Sequence, residues 1–492
     1  SLGFQTIYRL FNSHPEVRCE RIFCLDTGQP GNERSWVALE SGDSPSSFDV
    51  IALSLSYEQD CLMLPRLISA MGIPLRAQER WGNLPVLLCG GPVASSNPEP
   101  VAPFVEAVGV GDGEALAPEF VSAWLEELEN GWERGSFLRR LALRRGFYVP
   151  QLYQAELSAG EGSSLIPIPA VAEAPAHIER QVDPLAGEPA HSAVVTLEAH
   201  FAGMFMIEIA RGCCYACRFC LVSRINRPYR AANPGKIFEL LERMPSGSHV
   251  VGLVGANLCD HPELEAILLR IHDRGLRLGA GSLILDTLSP VLLGLLRDCG
   301  VRTITLAPET ASPRLLGLLG KPASAALLPE AVGEVCRLGF EQIKLYYMIG
   351  LPGEVEADRE ALVEQVRNLA GLLPGSGTRL RLSLNPFIPK PQTLWQDEPM
   401  MRPETLKAAM TQVRRGLATL GHKVELQTGP AAESLTQALI SRGDRRMAEV
   451  LELAALGNKR FLDAAVEAGL DIDALLHKRV EPSDSRPWKL LE

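Results

Sequence analysis

Residues 196–395 repeat one pattern six times: a short apolar segment of strand character, then a stretch whose apolar residues recur at helical spacing. The strand-like segments are 206–210, 250–254, 276–280, 301–306, 342–349 and 379–387. After the first, Asn233 can cap a helix that opens at Pro234, and Ile237, Leu240, Leu241 and Met244 supply its apolar face. Ser289-Pro290 repeats the device before 291–296. Six β-α units with parallel strands predict a barrel or partial barrel, a fold that places its chemistry at the C-terminal ends of the strands.

Residues 1–130 carry a different alternation. Leu2, Ile7, Leu10 and Phe11 can share one helical face, 50–55 reads as a buried strand and 62–71 as a helix. The strand-like 86–89 ends in Gly90-Gly91-Pro92, and 107–110 ends in Gly111-Asp112-Gly113-Glu114 before another helix. This predicts a doubly wound, Rossmann-like domain with its ligand beyond the strand C-termini. It is not a dinucleotide fingerprint, because GxGxxG starting at Gly109 requires glycine where Glu114 stands. Residues 131–195 loosen into a connector, rich in Gly, Ala, Pro, Ser and Glu over 159–190. Residues 396–492 read as a mostly helical domain, with helices over 403–419, 431–456 and 459–477, expected to cover the barrel or shape a substrate entrance. The sequence opens on a helix at Ser1 without an initiator Met, so a preceding strand is expected beyond it. The fold class is therefore α/β: a Rossmann-like domain, a partial (β/α)6 barrel and a helical C-terminal region.

Lysine and arginine total 48 against 59 aspartate and glutamate, a net charge of -11. No general basic field exists to hold a nucleic-acid backbone, so nucleic acid is not an expected partner. No apolar run nears the roughly 20 residues that cross a bilayer, and no charged start followed by an apolar core reads as a signal peptide. The expected setting is cytoplasmic, without a membrane partner.

Four of the 11 cysteines fall within residues 213–220. Cys19, Cys24, Cys61, Cys89, Cys259, Cys299 and Cys336 are dispersed, and the odd total without a secretion signal reads as reduced thiols. The clustered run is Arg211-Gly-Cys213-Cys214-Tyr-Ala-Cys217-Arg-Phe-Cys220, directly after the first barrel strand. Cys213, Cys217 and Cys220 form a Cx3Cx2C set that can wrap one soft-metal centre, and iron-sulfur clusters are held by such thiolates. Zinc is the competing reading. It favours four ligands in two separated pairs, and no second CxxC or HxxxH follows, although Cys214 could complete four.

This arrangement resembles the radical S-adenosylmethionine superfamily. The resemblance implies that Cys213, Cys217 and Cys220 hold a four-iron four-sulfur cluster, whose open iron takes the amino and carboxylate groups of S-adenosylmethionine, with Cys214 a bystander. Gly255-Ala256-Asn257 stands in place of the family's glycine-rich motif, departing from its usual Gly-Gly-Glu. Ala307-Pro308-Glu309-Thr310 resembles a Pro-Glu segment of cobalamin-type members, making Glu309 a partner for the methionyl or ribose moiety. Gly350-Leu-Pro-Gly353-Glu354 matches a recurrent turn, and Asn385-Pro-Phe387-Ile388-Pro389-Lys-Pro391 resembles the adenine-side segment. With the N-terminal domain, the whole resembles cobalamin-binding members of the superfamily. Gly90, Gly91, Gly111, Asp112, Gly113 and Glu114 fall where such domains cradle cobalamin, and Ser54, Ser56 and Tyr57 would line the same crevice. There is no Asp-x-His-x-x-Gly, so the resemblance implies cobalamin bound base-off without a histidine ligand.

What this implies is a cobalamin-dependent radical methyltransferase acting on an unactivated carbon. A reduced cluster would cleave S-adenosylmethionine to methionine and a 5′-deoxyadenosyl radical, and cobalamin would carry the methyl group. An external electron donor such as flavodoxin or ferredoxin is implied; the substrate, a small molecule or peptide, and the catalytic residues are not read from the chain. Three other readings stay open: a cobalamin-dependent radical cyclase or rearrangement enzyme, methyl transfer without a radical, and a non-catalytic cobalamin or redox sensor. RNA methylthiolation, which uses a second cysteine set, invites comparison with Cys24, Cys61 and Cys89, but their surroundings do not match.

Overall fold

A computed structural model describes residues 2–23, 36–158, 164–198, 201–279, 288–321, 327–374, 377–481 and 485–491. Cys24 and the end of the expected strand 276–280 lie outside these residues.

The N-terminal sheet contains β1 (Val50–Ser54), β2 (Val86–Gly90), β3 (Ala107–Gly109) and β4 (Phe147–Tyr148), in that order. β1 to β3 are parallel and β4 is antiparallel to β3. Among the described residues the strand order never reverses, so the doubly wound layout is corrected: the sheet is wound in one direction, and the switch point that would define a Rossmann crevice is absent from it. One face packs on the helices Leu2–Asn12, Gly113–Glu129 and Arg134–Ala142, through Phe11, Phe120, Phe137 and Leu141. The segment expected to be a loose connector contributes the last of these helices, β4, and a hairpin of β5 (Tyr153–Leu157) and β6 (Leu165–Pro169).

The second half is built from β7 (Met204–Glu208), the short antiparallel pair β8 (Ala210–Arg211) and β9 (Arg230–Ala231), β10 (Val250–Val254), β11 (Arg277–Gly279), β12 (Thr303–Glu309), β13 (Gln342–Ile349), β14 (Arg379–Pro386) and β15 (Val424–Thr428). Two all-parallel sheets result, ordered β7-β10-β11 and β12-β13-β14-β15. No closed barrel forms among the described residues. The expected sixth strand is not the last: β15 pairs parallel with β14 and adds a strand between the helices expected over 403–419 and 431–456, in a region read as mostly helical. Its sequence VELQT alternates polar and apolar residues over only five positions, a weak signal beside the long helix before it.

The helices between strands begin as expected. Asn233 accepts from the Gly235 N–H at 2.8 Å and Ser289 from Leu292 at 3.0 Å, each before a proline at the first helical position. Ile343, Leu345, Tyr347 and Ile349 of β13 bury one face against these helices in a core shared by both sheets.

The helix Pro403–Leu417 packs on the core of these two sheets through Leu406, Ala409 and Val413, as expected of the C-terminal region, whereas the helices Ala431–Arg442 and Met447–Ala455 pack on the other face of the N-terminal sheet. Leu435, Leu439, Val450 and Leu451 share a core with Ile51, Leu64, Ile68 and Cys89. The helix expected over 431–456 is broken at Gly443. There Asn97 reaches the carbonyls of Ser441 and Gly443 at 3.0 and 2.8 Å, taking up the acceptors that the break releases.

Candidate active site

Strand β7 delivers the chain to the cysteine loop. Gly212, at φ +84°, makes the turn possible: a Cβ there would lie 2.4 Å from the Asn226 carbonyl oxygen. The β8–β9 pairing of Ala210 with Ala231 and Arg211 with Arg230 ties the ends of the excursion, so the four cysteines sit in a closed loop. Its middle is clamped from two sides. The Arg218 N–H donates to the Leu319 carbonyl at 2.9 Å, and the Arg218 carbonyl accepts from the Trp395 N–H at 3.1 Å. Phe387 and Trp395 meet edge to face, centroids 5.6 Å apart, in an apolar cluster with Leu315, Leu316 and Leu319 that half-buried Phe219 packs against.

Cys217 is buried, Cys213 and Cys220 are half-buried and Cys214 is exposed. Burial pushes the Cys217 thiol up to about 11, against the pull of the nearby Lys321 ammonium, while Cys220 and Cys213 add to the rise. Burial likewise raises Cys213, against the Tyr215 N–H and with Cys220, Asp260 and Cys214 adding to the rise, whereas Cys214 feels burial and Asp260. Cys217 thus interacts with both Cys213 and Cys220 and not with Cys214. Among the described residues, no three His, Cys, Asp or Glu side chains gather tightly enough for a single ion. Three thiols spread along a loop suit a cluster that takes one thiolate per iron. Cys214→Ala is expected to leave bound iron and sulfide unchanged, measured by colorimetric assay after anaerobic reconstitution.

Beside Cys213 lie polar atoms without partners. Asn257 is 2% exposed, and its Nδ2, the Asp260 Oδ2 and the Tyr229 hydroxyl are all buried without a hydrogen bond. Burial, with the charges of Asp260, Cys214 and Cys213, holds the Tyr229 hydroxyl up at about 12. An unmet buried polar atom costs about 1–3 kcal/mol, so water or a polar ligand is expected to meet these groups. A donor from Asn257 and an acceptor from Asp260 fit the carboxylate and ammonium of a methionyl group.

A second space runs along the N-terminal sheet to the C-terminal ends of its strands. A cavity of about 690 Å³ passes Val50, Phe120 and Trp124 beside the helices Leu2–Asn12 and Gly113–Glu129, and at the strand ends it is lined by Ser54, Ser56, Gly90, Gly91 and the segment Gly111 to Glu114, and by Glu208, Arg211, Asn226 and Val254. It fits the notion of a cradle at Gly90, where a Cβ would meet nothing closer than 3.9 Å. Gly91 and Gly111 serve the chain's own packing: a Cβ would lie 2.5 Å from the Leu55 oxygen and 2.1 Å from the Gln181 oxygen. Asp112 and Glu114 are engaged by arginines. Arg211 donates to Glu114 at 2.9 and 2.8 Å and to Glu208 at 3.0 and 2.6 Å, and lies 3.1 Å from Asp112, which also pairs with Arg230.

The other expected site residues divide. Tyr57 is 65% exposed and outside the cavity lining, its N–H and that of Ser56 donating to Asp60. Gly255 and Ala256 follow β10 toward Asn257. Glu309 ends β12 at φ +64°, paired with Lys321 at 2.7 Å. The Phe387 ring supports the cysteine loop from behind, and Ile388 packs against the core that joins the N- and C-terminal regions. Glu354 folds back on its own turn, accepting from the Gly350 N–H at 2.9 Å. Ser95 and Arg180 also line the cavity, and Arg180 bridges the Ile225 and Ser95 carbonyls and Gln392. Nothing in the glycine- and proline-rich stretch around Arg180 marked it. Cys61 and Cys89 are fully buried in an apolar core, their thiols raised by burial, and Cys24 lies outside the described residues.

The loop and the parallel sheets agree with the family comparison. Residues 207–366 match the model described as the Radical SAM superfamily, SAM being S-adenosylmethionine, and residues 3–150 match that described as Radical SAM proteins, N-terminal. The chain carries radical SAM domains.

Among particular relatives, an uncharacterized protein of Methanocaldococcus jannaschii is 25% identical over 435 residues, 86% of each chain. The ribosomal protein uS12 methylthiotransferase RimO of Desulfosudis oleivorans is 25% identical over 177 residues, 33% of this chain and 40% of RimO. The radical SAM methyltransferase TsrM from Kitasatospora setae, with tryptophan substrate and the SAM analogue aza-SAM bound, superposes with a TM-score of 0.54 at 14% identity, covering 86% of this chain and 89% of TsrM. TsrM with cobalamin and a [4Fe-4S] cluster bound gives 0.46 at 17% identity, covering 68% and 61%. The likeness to TsrM is one of fold. No helix among the described residues is long and apolar enough to cross a membrane.

Proposed function

We propose that the protein is a cobalamin-dependent radical SAM methyltransferase, with Cys213, Cys217 and Cys220 holding a four-iron four-sulfur cluster. The observation that carries this reading is the cavity at Ser54, Gly90 and Gly111 to Glu114, which opens against Arg211 and Asn226 on either side of the cysteine loop. The shared fold with TsrM, a methyltransferase whose structures hold cobalamin, cluster and a SAM analogue, supports it.

When bound, the cluster would supply an electron to S-adenosylmethionine and cobalamin a transferable methyl group. The chain's own residues do the holding. Asn257 Nδ2 would donate to a methionyl carboxylate and Asp260 would accept from its ammonium. Ser54, Ser56, Ser95 and the open face of Gly90 line the cobalamin side, and Phe387 with Trp395 keeps the cysteine loop rigid and its inner side dry. An external electron donor such as flavodoxin or ferredoxin and a small-molecule or peptide substrate complete the proposal. A methylthiotransferase reading would need a second cysteine set; Cys61 is sealed in the core, Cys89 borders the cavity with its thiol raised by burial, and Cys24 lies outside the described residues.

Methyl transfer has a half-reaction that needs no substrate. The anaerobic protein, loaded with cob(I)alamin and given methyl-labelled S-adenosylmethionine, is expected to form methylcobalamin and S-adenosylhomocysteine in equal amounts, read by absorbance and chromatography. Accumulation of 5′-deoxyadenosine with no S-adenosylhomocysteine would sink the methyltransferase reading in favour of a radical cyclase or rearrangement enzyme.

A further inference from the structure

We propose that Lys321 is a positioning residue of the cluster site, clamping a strained turn at Glu309 and placing a positive charge beside Cys217. The proposal rests on the reading of Cys213, Cys217 and Cys220 as cluster ligands.

Three separate features bring Lys321 to this place. The helix Pro313–Leu319, opened by the Ser312 side chain accepting from the Leu315 N–H, ends in Gly320 with φ +65°. The turn lays the chain against the cysteine loop: Leu319 accepts from the Arg218 N–H, and a Cβ on Gly320 would touch the Ala216 oxygen at 3.7 Å and Arg218 Cγ at 4.0 Å. Lys321 is therefore the first side chain beyond that contact. Its Nζ turns back to β12, donating to the Ala307 carbonyl at 2.5 Å and the Glu309 carboxylate at 2.7 Å.

The turn it holds is costly. The Thr310 N–H bonds to the Pro308 carbonyl at 2.8 Å across Glu309, whose φ is +64°. A γ-turn with positive central φ is rare and strained, and a non-glycine residue in this region is disfavoured. Such a conformation persists only where its surroundings fix it. Here the two Lys321 hydrogen bonds add to the pairing of Glu309 with Tyr347 between β12 and β13, and both side chains are nearly buried, 11% and 12% exposed. Burial raises the Glu309 carboxyl, and Lys321 is the cation that opposes the rise. Without Lys321, Glu309 would have no charge partner in a dry site. Gly320, the residue before Lys321, lies against Ala216 and Arg218, the two neighbours of Cys217, so the Lys321 ammonium is carried on a segment in contact with the cysteine loop.

The two charges have opposite consequences for an electron arriving at the loop. A buried ammonium favours the reduced, more negative cluster, and a buried carboxylate disfavours it. After anaerobic reconstitution, Lys321→Met is expected to lower the equilibrium constant for one-electron cluster reduction at least tenfold, about 59 mV in midpoint potential. Glu309→Gln should shift it the other way, and Lys321→Arg should stay within threefold of wild type. Redox titration followed by electron paramagnetic resonance reads all three. Full iron content with unmoved potentials, or with Lys321→Met and Glu309→Gln moved in the same direction, would overturn the proposal while leaving the cluster reading intact. If Lys321→Met fails to load iron, the Glu309→Gln and Lys321→Arg potentials decide by the same criteria. Absence of iron from the wild-type protein would overturn the cluster reading and the proposal with it.

Discussion

Cys217→Ala is expected to lower bound iron from about four per chain to less than about one, and to reduce cleavage of S-adenosylmethionine under strong reductant to the background without enzyme. Of the three candidate ligands it is the buried one, and the neighbouring Arg218 backbone is pinned on both sides by Leu319 and Trp395. The loop therefore cannot move Cys214 into the vacant position without breaking both hydrogen bonds. Cys214 is exposed and electrostatically remote from Cys217, so it offers no substitute. Cysteine and alanine differ by one sulfur atom, and far-ultraviolet circular dichroism should be unchanged, which separates loss of the cluster from loss of the fold. Retention of iron at the wild-type level would remove Cys217 from the ligand set and reopen the zinc or sensor readings.

Much of this site was legible because its signals are local. A Cx3Cx2C run, a strand before it and a glycine at the turn all lie within residues 204–220, and the caps at Asn233 and Ser289 mark helix starts within two positions. The unread parts depend on contacts between distant segments. Lys321 looks like a surface lysine until the helix ending at Leu319 docks on Arg218. Asp112 and Glu114 stand in a glycine turn that resembles a ligand cradle, yet their carboxylates are taken up by Arg211 and Arg230 from about 100 residues away. Gly111 could not reveal that its missing side chain makes room for Gln181. The C-terminal helices show amphipathic spacing, which says that one face is buried and leaves open against which partner. The two halves of the molecule both offer apolar surfaces, and both are covered: Leu406, Ala409 and Val413 of the helix Pro403–Leu417 pack on the core of the second half, and Leu435, Leu439 and Leu451 on the N-terminal sheet. Strand order is non-local for the same reason. Alternation predicts parallel strands in either winding, and only the pairing of β1, β2 and β3 in sequence fixes the direction.

Arg211→Leu is expected to destabilise the native chain by about 3–5 kcal/mol, because it removes the one cation shared by three nearly buried carboxylates. Asp112, Glu114 and Glu208 are 10–18% exposed, and Arg211 is 12% exposed. Arg230 still faces Asp112, but Glu114 and Glu208 lose their partner and repel each other. Glu114 opens a helix of the N-terminal domain and Glu208 ends β7, so the loss falls on the junction between the sheet that lines the cavity and the strand that carries the cysteine loop. The sign with pH follows. Burial already holds the Glu208 carboxyl above its ordinary range despite Arg211, and without the arginine it rises further. The native variant then binds a proton at pH values where the unfolded chain does not. Its deficit is therefore largest above the raised carboxyl range and shrinks as pH falls toward the ordinary one. Urea unfolding monitored at several pH values measures this, with the first transition taken because a chain of this size need not unfold in one step. Adding Glu208→Gln should recover part of the loss, so that the double variant is more stable than the sum of the single changes. A deficit below about 1 kcal/mol that does not change with pH would mean that the carboxylates relax to solvent, and that apolar packing alone joins the two domains.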